Sequence, residues 1–170
     1  LYDSREFMNG IRLFESRRTE GEKVRTRWEN FRFSVNGKDF FLKGINWAPI
    51  DLLYNIDEKE YEWVLSLAKN AGIQMLRVWS GGGMPETDTF YELCDKMGIM
   101  VWQDMPSPNS YCSDHPDTDK PQFKAELKAM IESHYNSPCI VMWVLFNEAQ
   151  ARHDVSTLVN YIKSLDKSRL

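Results

Sequence analysis

The sequence predicts an α/β chain in which a β-hairpin leads into four strand–helix units. Three observations carry this. Asn36 and Gly37 stand between two strand-like runs, 31–35 and 39–42; Asn-Gly is the strongest short hairpin signal because a type I′ turn needs positive φ at both central positions. From residue 57 onward, stretches with apolar residues at helical spacing alternate with short apolar runs. One of those runs, Ile-Val-Met-Trp-Val-Leu-Phe at 140–146, passes straight into Asn147 and Glu148. Seven apolar residues rich in β-branched and aromatic types fit a strand buried on both faces.

Taken in order, residues 1–30 are edge material. Segments 10–15 and 23–28 are short, part-alternating and charged, and read as two strands of a β-sandwich. After the hairpin, 40–45 is apolar and ends at Asn46 and Trp47. Residues 57–71 form the first helix, with Asp57 and Glu60 as a capping box, Tyr61, Val64, Leu65 and Ala68 as its core stripe, and Gly72 as its stop. Segment 74–79 is the next strand, ending in Arg77, Val78 and Trp79 before the run Gly81, Gly82, Gly83. A helix over 87–97 carries Phe90, Leu93, Cys94 and Met97 on one face, with Gly98 after it. Segment 99–102 is a strand ending at Gln103 and Asp104.

The stretch 105–120 is a long loop rich in Pro, Ser and Asp, and loops of that length in a domain are usually functional or mobile. Pro121 opens a helix to 135, with Phe123, Leu127, Met130 and Ile131 aligned. The last helix, 155–165, has Asp154 as N-cap and Leu158, Val159, Ile162 and Leu165 as its stripe. The sequence ends at Leu170, where another strand is due.

Strands separated by helices are parallel, so their C-terminal ends share one face. Each of the four ends carries groups that can meet a ligand: Asn46 and Trp47, Arg77 and Trp79, Asp104, then Asn147 and Glu148. Parallel sheets and (β/α) barrels build their active sites on that face. Each residue alone has a plainer reading: Glu148 opening a loop, Arg77 in a structural ion pair, Trp79 and Trp102 in the core. A complete eight-unit barrel takes about 250 residues, whereas this chain has 170. The four units therefore read as half of a (β/α)8 TIM barrel.

Composition is that of an ordinary globular chain, with 42% hydrophobic and 27% charged residues. A net charge of -4 suggests no nucleic-acid or anionic-membrane partner. No apolar run approaches the roughly 20 residues of a membrane-spanning helix. The 13% aromatics and six Trp suit flat, amphipathic ligands such as sugars. The three cysteines, Cys94, Cys112 and Cys139, match no zinc spacing. Cys94 and Cys139 read as buried thiols and Cys112 as a loop residue. A metal-dependent hydrolase using His115, His134 and His153 lacks ligand spacing, so no metal is expected. A nucleotide binder built on Gly81, Gly82 and Gly83 lacks the G-x-G-x-x-G pattern.

The motifs in their order and spacing resemble the catalytic barrel of glycoside hydrolase family 2. They are Asn-Gly-Lys followed by Phe-Leu-Lys-Gly-Ile-Asn, Leu-Arg-Val-Trp-Ser-Gly-Gly-Gly, Phe-Tyr-Glu-Leu-Cys-Asp-Lys-Met-Gly-Ile-Met-Val-Trp-Gln-Asp, and Met-Trp-Val-Leu-Phe-Asn-Glu. The resemblance covers about residue 10 to the end. It implies that 1–30 is the C-terminal remnant of an immunoglobulin-like β-sandwich domain. It also implies that 31–170 is the N-terminal half of a TIM-barrel glycosidase domain, the remaining half supplied by C-terminal sequence not present here.

The implied activity is that of a retaining exo-β-glycosidase acting on an oligosaccharide or glycoside, without a cofactor. Glu148 would be the general acid/base and Asn147 the partner of the sugar 2-hydroxyl. Arg77 would stand near the nucleophile, a second Glu on the seventh strand, and keep it ionised. Trp79 would be a sugar platform, Asp104 and the 105–120 loop would shape the pocket rim, and Asn46 and Trp47 would complete the substrate contacts. Arg-Val-Trp before a Gly run, with Val-Trp-Gln-Asp on the third strand, is closest to the β-mannosidase-like branch. The His-Tyr-Pro run usual in the β-galactosidase and β-glucuronidase branches is absent. Ser80 departs from the mannosidase pattern, and 105–107 and 144–146 resemble members of uncertain substrate. The alternatives are those two branches or a non-catalytic carbohydrate-binding member. The compartment is open: bacterial periplasmic or secreted, or cytoplasmic. The isolated 170 residues are expected to be inactive and aggregation-prone.

Overall fold

A computed structural model of the chain describes residues 3–6, 9–18, 31–51, 53–79, 85–106, 121–147 and 155–170. Strand β1 (Phe14–Arg18) is followed by the hairpin strands β2 (Phe31–Val35) and β3 (Lys38–Phe40). Asn36 and Gly37 hold φ of 52° and 77°, so the turn has the positive φ at both positions that Asn-Gly favours. β1 pairs antiparallel with β2, making a three-stranded sheet in the order β1-β2-β3. The first strand thus lies at 14–18 rather than 10–15. The expected strand at 23–28 lies outside the described residues.

The repeating units follow as β4 (Gly44–Trp47), α1 (Glu58–Asn70), β5 (Met75–Val78), α2 (Asp88–Met97), β6 (Met100–Asp104), α3 (Pro121–Ser133), β7 (Ile140–Val144) and α4 (Val155–Leu165). Strands β4 to β7 are parallel and lie in sequence order, as in one half of a (β/α) barrel. The local chemistry sets the boundaries. Asp57 Oδ1 accepts from the Glu60 amide at 2.9 Å and Glu60 Oε2 accepts from the Asp57 amide at 3.0 Å, a complete capping box on α1. Thr87 caps α2, and Gly98 ends it in the left-handed region at φ 68°. The expected cap Asp154 lies outside the described residues.

The sheet has two faces, set by the two-residue alternation of a strand. Trp47, Leu76, Val78, Val101, Ile140, Trp143 and Leu145 face the helices and join Tyr61, Leu65, Phe90, Leu93, Leu127 and Ile131 in the main core. Burying each such side chain contributes roughly 1.5–3 kcal/mol. On α4, Leu158 and Ile162 are buried, but Val159 points outward, unlike the expected stripe. The opposite face packs its lower end, Met75, Met100, Val141 and Met142, against Phe14, Phe33, Val35 and Phe40 of the small sheet. The three-stranded sheet therefore plugs the N-terminal end of the half-barrel and leaves the C-terminal ends of the strands on the other side.

Where the sequence ends, Leu170 has already joined the sheet: its amide donates to Val141 O and its carbonyl accepts from Trp143 N. It takes up the outer edge of β7, where a following strand would begin. Cys94 and Cys139 are buried free thiols, and Cys112 lies outside the described residues. No helix among the described residues is long and apolar enough to cross a membrane.

Candidate active site

The register places Asn46 beside Arg77 and Arg77 beside Trp102 across β4, β5 and β6. These residues alternate with Trp47, Val78, Val101 and Gln103, so they lie on the face away from the helices. Asn46 is exposed there. Trp79, part-buried, comes two residues after Arg77, and its amide donates to Trp47 O at 3.1 Å, which carries the β4–β5 ladder past the strand end.

Arg77 is the centre of the arrangement. Its Nε and Nη2 donate to the two oxygens of Asp104 at 3.2 and 2.8 Å, a bidentate pair. Nη2 also donates to Asn147 Oδ1 at 2.5 Å. The guanidinium carbon sits 5.2 Å from the centre of the Trp102 ring, and the Trp102 indole donates to Asp104 Oδ1 at 2.8 Å. The Asp104 side chain has no exposed surface, whereas that of Arg77 retains 23%. These three donors offset the cost of burying a carboxylate at that depth. Asp104 is therefore not a rim residue, as the sequence suggested: it anchors Arg77 from below. Arg77 in turn orients Asn147, because a guanidinium has only donors and can meet only the amide oxygen.

Asn147 reaches this group by breaking the strand alternation. β7 carries a register shift against β6 between Val101 and Trp102 and ends at Val144. Leu145 and Phe146 both pack toward the helix-side core, and Asn147, buried, comes to Arg77. Glu148 follows it and lies outside the described residues, as do 80–84 and 107–120.

Trp47 is a correction. It is only 6% exposed, its ring centre lies 5.0 Å from that of Phe90, and its indole donates to Glu86 Oε1 at 2.8 Å. One residue past Asn46, it necessarily points to the helices and not to a ligand on the other face. Two residues were missed. Trp102 shares the face of Asp104 by simple alternation, which the sequence could have told. Glu86, 5% exposed, accepts from Trp47, from Tyr61 Oη at 2.6 Å and from the Thr87 amide at 3.4 Å. Nothing in the sequence distinguishes it from a solvated acid at a helix start. Burial, and then the bond to Glu86, push the Tyr61 hydroxyl far above its ordinary range, so it stays a donor.

His134 is buried with its ring 4.2 Å from that of Tyr91, and burial lowers its pKa. His115 and His153 lie outside the described residues. Among the described residues no three His, Cys, Asp or Glu side chains come together as metal ligands would.

Residues 26–170 match the family described as Glycosyl hydrolases family 2, TIM barrel domain. A β-mannosidase of Bos taurus is 37% identical over 126 residues, covering 72% of this chain and 14% of that protein. β-Mannosidase B of Emericella nidulans is 38% identical over 128 residues, covering 71% and 14%. The crystal structure of a β-D-mannosidase from Dictyoglomus thermophilum superposes with a TM-score of 0.73 at 34% identity, covering 95% of this chain and 21% of that one. The chain thus spans about one-seventh of the length of these curated relatives.

Proposed function

Because this chain belongs to glycoside hydrolase family 2, we propose that it forms part of the active site of a retaining exo-β-glycosidase acting on β-mannosides. The observation that carries the reading is Asn147, held by Arg77 at the C-terminal end of the fourth parallel strand and immediately followed by Glu148. Its amide oxygen is engaged by Arg77, which fixes the plane of the amide, and an amide held in one orientation suits recognition of a sugar 2-hydroxyl. Hydrogen bonds to that hydroxyl strengthen in the transition state.

Glu148 would protonate the leaving oxygen and then activate water. Retention needs a second carboxylate about 5–5.5 Å away to attack the anomeric carbon; we assign it to a part of the barrel beyond these four units. Asn46 and Trp79 would line the sugar, and Asp104 would act through Arg77. The mannoside is supported by the β-mannosidases among the similar proteins and by Arg77-Val78-Trp79 leading into a glycine run.

The test uses the intact protein and a panel of β-mannosides, β-galactosides and β-glucuronides, each as disaccharide and as activated aryl glycoside. A general acid matters most when the leaving group is poor. Glu148→Gln should abolish disaccharide cleavage while sparing glycosylation by the aryl substrate, with mannosides preferred. Equal activity of wild type and variant on both substrates would remove Glu148 from the acid role, and preference for another sugar would replace the mannoside.

A further inference from the structure

We propose that Glu86 is a positioning residue: through hydrogen bonds it fixes the ends of β4 and β6 so that Asn46 faces the sugar and Asp104 stays in place beneath Arg77. This rests on the reading above and extends it to a residue outside the sugar-facing wall.

The carboxylate of Glu86 lies buried behind the sheet, at the end of the β5–α2 connection. Two of its bonds, from the Trp47 indole and the Tyr61 hydroxyl, tie that connection to the last residue of β4 and to α1. Its backbone amide donates to Tyr91 Oη at 3.2 Å; Tyr91 Oη donates to Gln103 Oε1 at 2.6 Å, and Gln103 Nε2 donates to the Asp104 carbonyl at 2.9 Å. Glu86 thus joins two sets of bonds, its carboxylate holding Trp47 and its backbone amide reaching Tyr91 and, through it, Gln103. Trp47 and Gln103 are helix-facing residues whose strand neighbours, Asn46 and Asp104, lie on the opposite face. Fixing the rotation of Trp47 fixes where Asn46 points, and fixing Gln103 does the same for Asp104.

Among the described residues no cation pairs with Glu86. Its charge is met by neutral donors and by the N-terminal end of α2, where the helix dipole favours an anion. An apolar side chain would fill this core position without such a desolvation cost. A satisfied buried polar network instead specifies one arrangement, which is what a wall of substrate contacts requires. A misplacement of about 1 Å at such a wall can lower turnover about 100-fold.

The experiment is done in the intact protein, on whichever glycoside of the panel the wild type cleaves. Glu86→Ala and Trp47→Phe should each lower kcat/KM roughly 10- to 100-fold at temperatures where both remain folded. Glu86→Gln should stay within about 5-fold of wild type, since an amide can still accept from the Trp47 indole and donate to Tyr61 Oη. In the Asn46→Ala background, Glu86→Ala should cost much less than it does alone, because the residue it positions is gone. Trp47→Phe keeps the ring and removes one bond, so it reads the same effect if Glu86→Ala fails to fold.

A second measurement needs no substrate: amide exchange at Trp79, whose N–H bonds the Trp47 carbonyl, and at Met105 should quicken in Trp47→Phe more than exchange at the β5 core. Additive losses in the double variant, or unchanged exchange at Trp79 and Met105, would overturn the inference even if mannoside hydrolysis stands. Failure of the mannoside alone changes the substrate and leaves these two readouts to decide.

Discussion

Replacing Arg77 by Met gives a test of the site's wall that does not depend on the sugar. The substitution keeps an apolar stem of similar reach and removes two charged donors from a carboxylate with no exposed surface, that of Asp104. Breaking one side of a buried pair typically costs about 3–5 kcal/mol. There is a ceiling, however, because the Asp104 carboxylate can escape by taking up a proton. For an ordinary aspartate that escape costs about 4 kcal/mol at pH 7 and about 1.5 kcal/mol at pH 5. The loss in Arg77→Met should therefore shrink by about 2–3 kcal/mol on going from pH 7 to pH 5. What remains at pH 5 is the lost bond to Asn147 and the lost stacking on Trp102. Asp104→Asn removes the carboxylate itself, so its penalty should be nearly the same at both values. Urea unfolding of the intact protein at pH 5, 6 and 7, for wild type and the two variants, reads this directly. A penalty in Arg77→Met that is flat across that range would refute the idea that the loss comes from taking the guanidinium away from the buried Asp104 carboxylate.

Asp166 gives a second pH dependence. Burial alone would raise its carboxyl, but bonds from Ser168, Trp143 and Arg169 outweigh that and hold it far below the usual range. A depressed folded-state pKa stabilises above the unfolded value of about 3.9 and is lost as pH falls through the folded value. The stability gap between wild type and Asp166→Asn should thus hold from pH 7 to pH 5 and narrow below about pH 4; a gap that widens in acid contradicts it. Burial pushes the Cys94 and Cys139 thiols far up, so neither should react with a thiol reagent at pH 8 until the protein unfolds, and modification of either in the native state would contradict the packing.

Much of the fold could be read from local chemistry. The capping box of Asp57 and Glu60, the left-handed Gly98 and the Asn36-Gly37 turn each satisfy a backbone need that few other residues meet. The alternation of apolar runs with helical stripes gave the order of the parallel strands. The site was less legible, because periodicity says which residues share a face but not which face meets the helices. Trp47 and Asn46 differ by one residue, and that residue decides between a core indole and an exposed amide. Asn147 was harder still, since it reaches Arg77 only through the break in alternation after Val144. Glu86 left no trace: its burial depends on Trp47, Tyr61 and Tyr91, which lie on three different elements.

The pairing of Arg77 with Asp104 resolves a conflict in the chemistry proposed for this wall. An amide that must hold one orientation beside a sugar is well served by a guanidinium, which can meet only its oxygen. A general acid one residue further on is poorly served by the same cation, because a nearby positive charge favours the ionised carboxylate and lowers its pKa. Placing Asp104 bidentate on Arg77 cancels most of that field while leaving the geometry intact, and burying Asp104 keeps water from screening the pair apart. Trp102 adds rigidity without charge, stacking on one partner and donating to the other. In the function proposed, such a wall would orient Asn147 firmly and still let Glu148 keep its proton until the leaving oxygen takes it.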